Sequence, residues 1–221
     1  MSDFEVAIIN ACQEVFPHTA ISLCFFHLMQ SLYRKVQEKG LQSAYNNPED
    51  RTIKEFVHKI AALAFVPISD VEDAFATLQP RAPQELDEYV KSFDATYVNV
   101  VPARGRRRAL APRYAIHLWN QYDATIDGQA KTNNVSEGWH NRFHLLMGKN
   151  HPDLYVLLKN IQKEQGDTEI AVVELSLGRK IKAAPKKKWV DVQKKLRRIV
   201  QNYEDYEILE YLNALGQTII I

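Results

Sequence analysis

The acid with the most suggestive surroundings is Glu137. It sits in KTNNVSEGWHNRFH, a stretch dense in polar groups and otherwise free of acids. Thr132, Asn133 and Asn134 can cap a helix there or orient a neighbouring carboxyl, and Trp139 places a large aromatic beside it. The competing reading is an exposed helix start, where the macrodipole favours Glu. Asp3 has a sufficient local role as the cap of a first helix. Cys24-x-x-His27 offers two soft or borderline metal ligands, and His140-x-x-x-His144 puts two more on one helix face. Four such groups suit zinc, either as ligands or as the groups that orient a neighbouring site. Against this, Cys24 also suits a small buried hydrophobe and His27 a satisfied core histidine.

Two basic runs could neutralise phosphates and add salt-dependent affinity for a polyanion. The first is Arg104, Arg106, Arg107 and Arg108; the second runs from Arg179 to Arg198 and includes Lys186, Lys187, Lys188, Lys194, Lys195, Arg197 and Arg198. Trp189 lies inside the second run and can stack on a base or turn inward. A solvated helix face explains the same letters. Pro185 to Lys188 resembles a nuclear import signal, a weak motif. The net charge of +1 conceals an asymmetry: residues 1–103 hold 8 Lys/Arg against 14 Asp/Glu, and residues 104–221 hold 20 against 13. There is no P-loop, dinucleotide-binding glycine motif, nucleophile elbow or H-E-x-x-H zinc motif, so no small-molecule substrate is indicated.

The elements that must position these residues are mostly helices. Phe4, Ala7, Ile8, Ala11 and Val15 follow Asp3 at helical spacing, and Phe16-Pro17 ends that helix. Residues 20–26, AISLCFF, read as one buried strand. A helix follows from about His27 to Lys39 with Gly40 as its stop. Residues 49–66 place Ile53, Phe56, Val57, Ile60, Leu63 and Ala64 on one face. Ser69-x-x-Glu72 matches a capping box, and Leu86, Tyr89, Val90 and Phe93 face inward in a helix over 83–97. Residues 98–112 break the pattern as an arginine-rich loop. A helix fits about Val135–Met147, and a long one opens at Pro152 and stops at Gly178. The tail from about Tyr203 to Leu215 is an acidic amphipathic helix.

The chain has 221 residues, 46% apolar and 25% charged, enough to bury a core. No run approaches the ~18 apolar residues of a membrane span, and MSDFEVAIINACQEVF has no basic region of the secretory type. Two cysteines do not make a secreted disulfide framework, which points to a reducing compartment, nucleus or cytosol.

Taken together and in order, MSDFEVAIINACQEVFP, LCFFHLMQSLYRKVQEKGL, LAFVP and QAKTNNVSEGWHNRFHLLMGKNHP resemble the Mutator-like element transposases, above all the insect type found beside FLYWCH zinc fingers. The resemblance covers about residues 1–165. It implies an RNase H-like catalytic core with three acids, Asp, Asp and Glu, a helical insertion separating the last two. It maps the second Asp onto Asp3, the Glu onto Glu137 and the family's C-x-x-H onto Cys24 and His27. Such acids hold two magnesium or manganese ions that clamp an in-line phosphoryl displacement on DNA.

The resulting expectation is a mainly α chain with a truncated RNase H-like core. Residues 1–40 would be the core remnant with about one strand, 41–125 the helical insertion, 126–178 the Glu-bearing and long helices, and 179–221 a basic then acidic tail. Because the chain opens just ahead of Asp3, the first acid and most of the sheet are expected to be missing. Metal binding would then be weak or absent, and the strand edge would be covered by helices or by another chain, a second copy or a partner, or else the fold would be only marginally stable. Three functions follow: a DNA-binding transposase remnant inactive by itself, a strand-transfer enzyme completed in trans, or a helical interaction module.

Overall fold

The computed structural model describes residues 1–103, 108–132, 134–149, 151–179 and 187–219, without the side chains of 134–137. Twelve α-helices are described: α1 (Val6–Val15), α2 (Phe25–Glu38), α3 (Gln42–Tyr45), α4 (Thr52–Ala62), α5 (Val71–Leu78), α6 (Asp87–Phe93), α7 (Ile116–Trp119), α8 (Tyr122–Ile126), α9 (Asn134–Met147), α10 (Leu154–Ser176), α11 (Lys187–Gln201) and α12 (Ile208–Thr218). The protein is mainly helical. Among the described residues it has no sheet, only isolated bridges joining Ser2 to Leu23 in parallel and Val101 to Leu110 in antiparallel. None of the described helices is long and apolar enough to cross a membrane.

The chain divides into two compact units, Met1–Thr132 with Asp191–Ile221, and Asn133–Val190. The first is built on helical stripes. Leu28, Met29, Leu32 and Val36 recur along one side of α2 and are all buried. The six residues that spacing places inward in 49–66 are buried, and so are Leu86, Tyr89, Val90 and Phe93. α12 closes this core on α4. A Cβ on Gly216 would lie 3.4 Å from the backbone of His58 and Lys59, so the two helices approach closely there. His58 Nδ1–H donates to the Gly216 carbonyl (3.1 Å), which leaves Nε2 to accept from the Tyr45 hydroxyl (3.2 Å).

Two stops follow the letters. Gly40 (φ +71°) lets Leu41 N–H reach back to Val36 and Gly40 N–H to Gln37, and Gly178 (φ +75°) repeats the geometry after α10. These are Schellman closures, which need a left-handed residue.

Four local expectations are corrected. The strand over 20–26 does not form: Leu23 makes one bridge, and Phe25 already opens α2. On its far edge, Leu23 N–H donates to Leu118 O (2.7 Å) and Leu23 O accepts from Gln121 Nε2 (2.9 Å). A loop and a buried amide thus take the place of a neighbouring strand. Asp3 does not cap α1, whose N-cap position is Glu5 without a side-chain bond. The inward stripe of α1 is also displaced: Ile9 is buried, whereas Ile8 and Val15 are exposed. The bridge at Ser2 fixes how the chain enters α1, so tertiary contact overrides local periodicity. The Ser69 capping box does not close either. Ser69 Oγ donates to Asp70 Oδ1 (2.7 Å), and Asp70 Oδ2 accepts from the Tyr203 hydroxyl (2.9 Å).

The second unit holds α9 and α10. Asp153 caps α10 by accepting Val156 N–H at 3.0 Å, one residue beyond the predicted opening at Pro152. Trp139 stacks on Phe143 with ring centroids 5.0 Å apart.

Candidate functional site

The best-formed polar constellation in the first unit lies where the two ends of the Ser2–Leu23 bridge emerge. Ser2 N–H donates to Ser22 O and Cys24 N–H donates to Ser2 O, each at 2.9 Å. This pairing carries the chain past Leu23 directly into Asp3 on one side and Cys24 on the other. Cys24 is then the N-cap residue of α2, and its carbonyl accepts Leu28 N–H. His27 follows within the first turn. Its Nδ1 stands 3.2 Å from Asp3 Oδ1, with Asp3 nearly half-exposed and His27 about one-fifth exposed. The carboxylate that could have capped a helix lies beside an imidazole instead.

Cys24 is fully buried, and no disulfide joins it to Cys12. Among the described residues no group of three or more His, Cys, Asp or Glu is arranged to hold a metal ion. His140 and His144 sit one turn apart on α9 in the second unit, and both are exposed. The backbone of Glu137 lies in α9, but its side chain, and with it any approach to Asp3, lies outside the described residues.

The basic runs divide similarly. Arg104, Arg106, Arg107 and Lys186 lie outside the described residues. Arg108 is exposed beside a neck in which Val101 and Leu110 exchange both backbone hydrogen bonds (2.8 and 2.9 Å). Lys187, Lys188 and the 47%-exposed Trp189 belong to the second unit. Lys194, Lys195, Arg197 and Arg198 belong to the first, on the solvent side of α11, opposite buried Leu196, Ile199 and Val200. This amphipathic split exposes a dense row of cations, which can meet phosphates or water equally well.

Three polar residues that the letters do not single out carry structural weight. Gln121, fully buried, seals the Leu23 edge. Glu164, 6% exposed, accepts from Trp139 Nε1 (2.8 Å) and from Arg142. Lys131 is half-buried, and burial together with the charge of Arg197 pulls its pKa below the ordinary lysine value. No pattern in the sequence marks them, because each acts through a residue remote along the chain.

No family model, curated protein or solved structure matches this chain.

Proposed function

We propose that this chain is the later part of a Mutator-like element transposase core, retained as a DNA-binding protein without strand transfer of its own. The observation that carries the reading is the parallel Ser2–Leu23 bridge with Asp3 against His27. The resemblance assigns Asp3 as an active-site acid and His27 to the C-x-x-H motif, read from the sequence as lying at a strand end. A single parallel bridge feeding both residues is what a much-reduced RNase H-like sheet would keep. The helices of 41–125 then correspond to the insertion, and the exposed cations of α11 to a DNA contact, consistent with nuclear residence.

The described donors do not fit a two-ion site by themselves. Asp3 supplies one carboxylate, with His27 beside it. Binding of magnesium or manganese by the described residues alone is therefore expected to be weak or absent.

A supercoiled-plasmid assay in manganese tests the reading. No nicking is expected; nicking lost on Glu137→Gln would replace it with an enzyme completed from elsewhere. DNA binding should fall on neutralising Lys186, Lys187, Lys188, Lys194 and Lys195. A second reading, a helical interaction module, is favoured by the apolar surface of α10, where Leu154, Tyr155, Leu158 and Ile161 are exposed. DNA binding indifferent to those five substitutions would count for it.

A further inference from the structure

Lys131 and Arg197 come from distant parts of the chain yet share one corner of the first unit. Arg197 is fixed by the helix it sits on: Leu196, Ile199 and Val200 beside it are buried. Its guanidinium lies over the turn that ends α8, where a Cβ on Gly128 would come 3.4 Å from Nη1. Gly128 has φ +71°, and Gln129 N–H closes the turn on Ala124 O (2.8 Å). Lys131 follows that turn. Its carbonyl accepts Phe25 N–H (2.9 Å), which ties it to the first residue of α2, directly after Cys24 and two before His27.

Bringing two cations together while half-burying one is uphill. Desolvation and like-charge repulsion both oppose the charged lysine. The usual remedy is an acid between them. Among the described residues, Arg197 is the one charge that perturbs Lys131, and no carboxylate offsets it. Two cations with no acid between them suit a ligand that brings its own negative charge.

We propose that Lys131 and Arg197 form a phosphate-binding subsite beside the Asp3–His27 pair. Arg197 supplies a planar fork and Lys131 a point charge, a combination suited to non-bridging phosphate oxygens. As a DNA subsite it rests on the function proposed above. As a phosphate site it stands by itself.

Two probes separate these levels: duplex DNA followed by fluorescence anisotropy across salt, and inorganic pyrophosphate followed by thermal unfolding. Lys131→Gln and Arg197→Gln should each weaken duplex binding and lower the salt slope by about one. Lys131→Arg should restore both, and Arg81→Gln, an exposed cation elsewhere, should change neither. Pyrophosphate should raise the melting temperature of the native chain and not of the double variant. Lys131→Gln should itself melt higher than the native chain, since it removes a strained charge; a lower melting temperature would make Lys131 a structural residue and overturn the assignment. Duplex binding indifferent to both substitutions overturns the subsite while leaving the DNA reading standing. Pyrophosphate stabilisation without duplex binding keeps the subsite and removes DNA as its ligand. Neither response removes both.

Discussion

α4 and α10 show two ways for a helix to persist. α4 buries seven of its eleven residues, among them Ile53, Phe56, Val57 and Ile60. α10 has twenty-three residues and buries one, the acid Glu164. Leu154, Leu158, Ile161, Ile170, Val172, Val173 and Leu175 along it are exposed. The first helix is held by apolar packing, worth about 25 cal/mol for each Å² removed from water. The second relies on its own backbone, an Asp153 cap, a Schellman stop and one polar knot to α9. Stability in the first unit is therefore spread over many side chains, whereas in the second it is concentrated in few.

The largest expected effect tests the packed side. Phe75→Ala empties a fully buried site and should cost about 3–5 kcal/mol in urea unfolding; a loss below about 1 kcal/mol would mean the first unit is not close-packed. Glu164→Ala tests the knot. It strips Trp139 and Arg142 of their acceptor, with an expected cost of about 1–3 kcal/mol. Faster hydrogen exchange along α9 and α10, with a shift in Trp139 emission, would report it; unaltered exchange would make the knot decorative.

His58 sharpens the comparison through pH. Burial holds its pKa below the usual 6.5, helped by Lys54 and Arg51, while the Gly216 hydrogen bond and Glu55 pull the other way. The unfolded chain thus binds the proton more readily. The stability His58 contributes is present in full above about pH 6.5 and lost as pH falls through its lower folded value. His58→Gln should flatten that part of the profile of urea midpoint against pH. A native profile that rises on acidification would contradict the burial. The smallest effect belongs to Leu158→Ala on α10, within about 0.5 kcal/mol. A loss as large as that of Phe75→Ala would erase the contrast between the units.

Periodicity made the packed side legible. Ile53 through Ala64 and Leu86 through Phe93 announce their inward faces, and Gly40 the stop of α2, because both signals depend on neighbours within a turn or two; Gly178 announces the stop of α10 in the second unit in the same way. The run AISLCFF did not, since a short apolar stretch suits a strand or a helix start equally. What decides it is the loop carrying Leu118 and Gln121, nearly a hundred residues later. The candidate site divides in the same way. Cys24 and His27 are three positions apart, so their placement at the head of α2 is nearly local. Asp3 had two uses open to it, and its pairing with His27 rather than a helix end depends on the Ser2 bridge. Lys131 was invisible, because its neighbour Arg197 arrives from another helix.

The glycine contact between α4 and α12 has a consequence for synthesis. His58 and its Gly216 partner are 158 positions apart, and all of Asn133–Val190 is translated between them. At ordinary elongation rates α4 waits roughly 10–30 s for the helix that covers it. During that interval the flank of α4 at His58 and Lys59 lacks the Gly216 contact that later closes it.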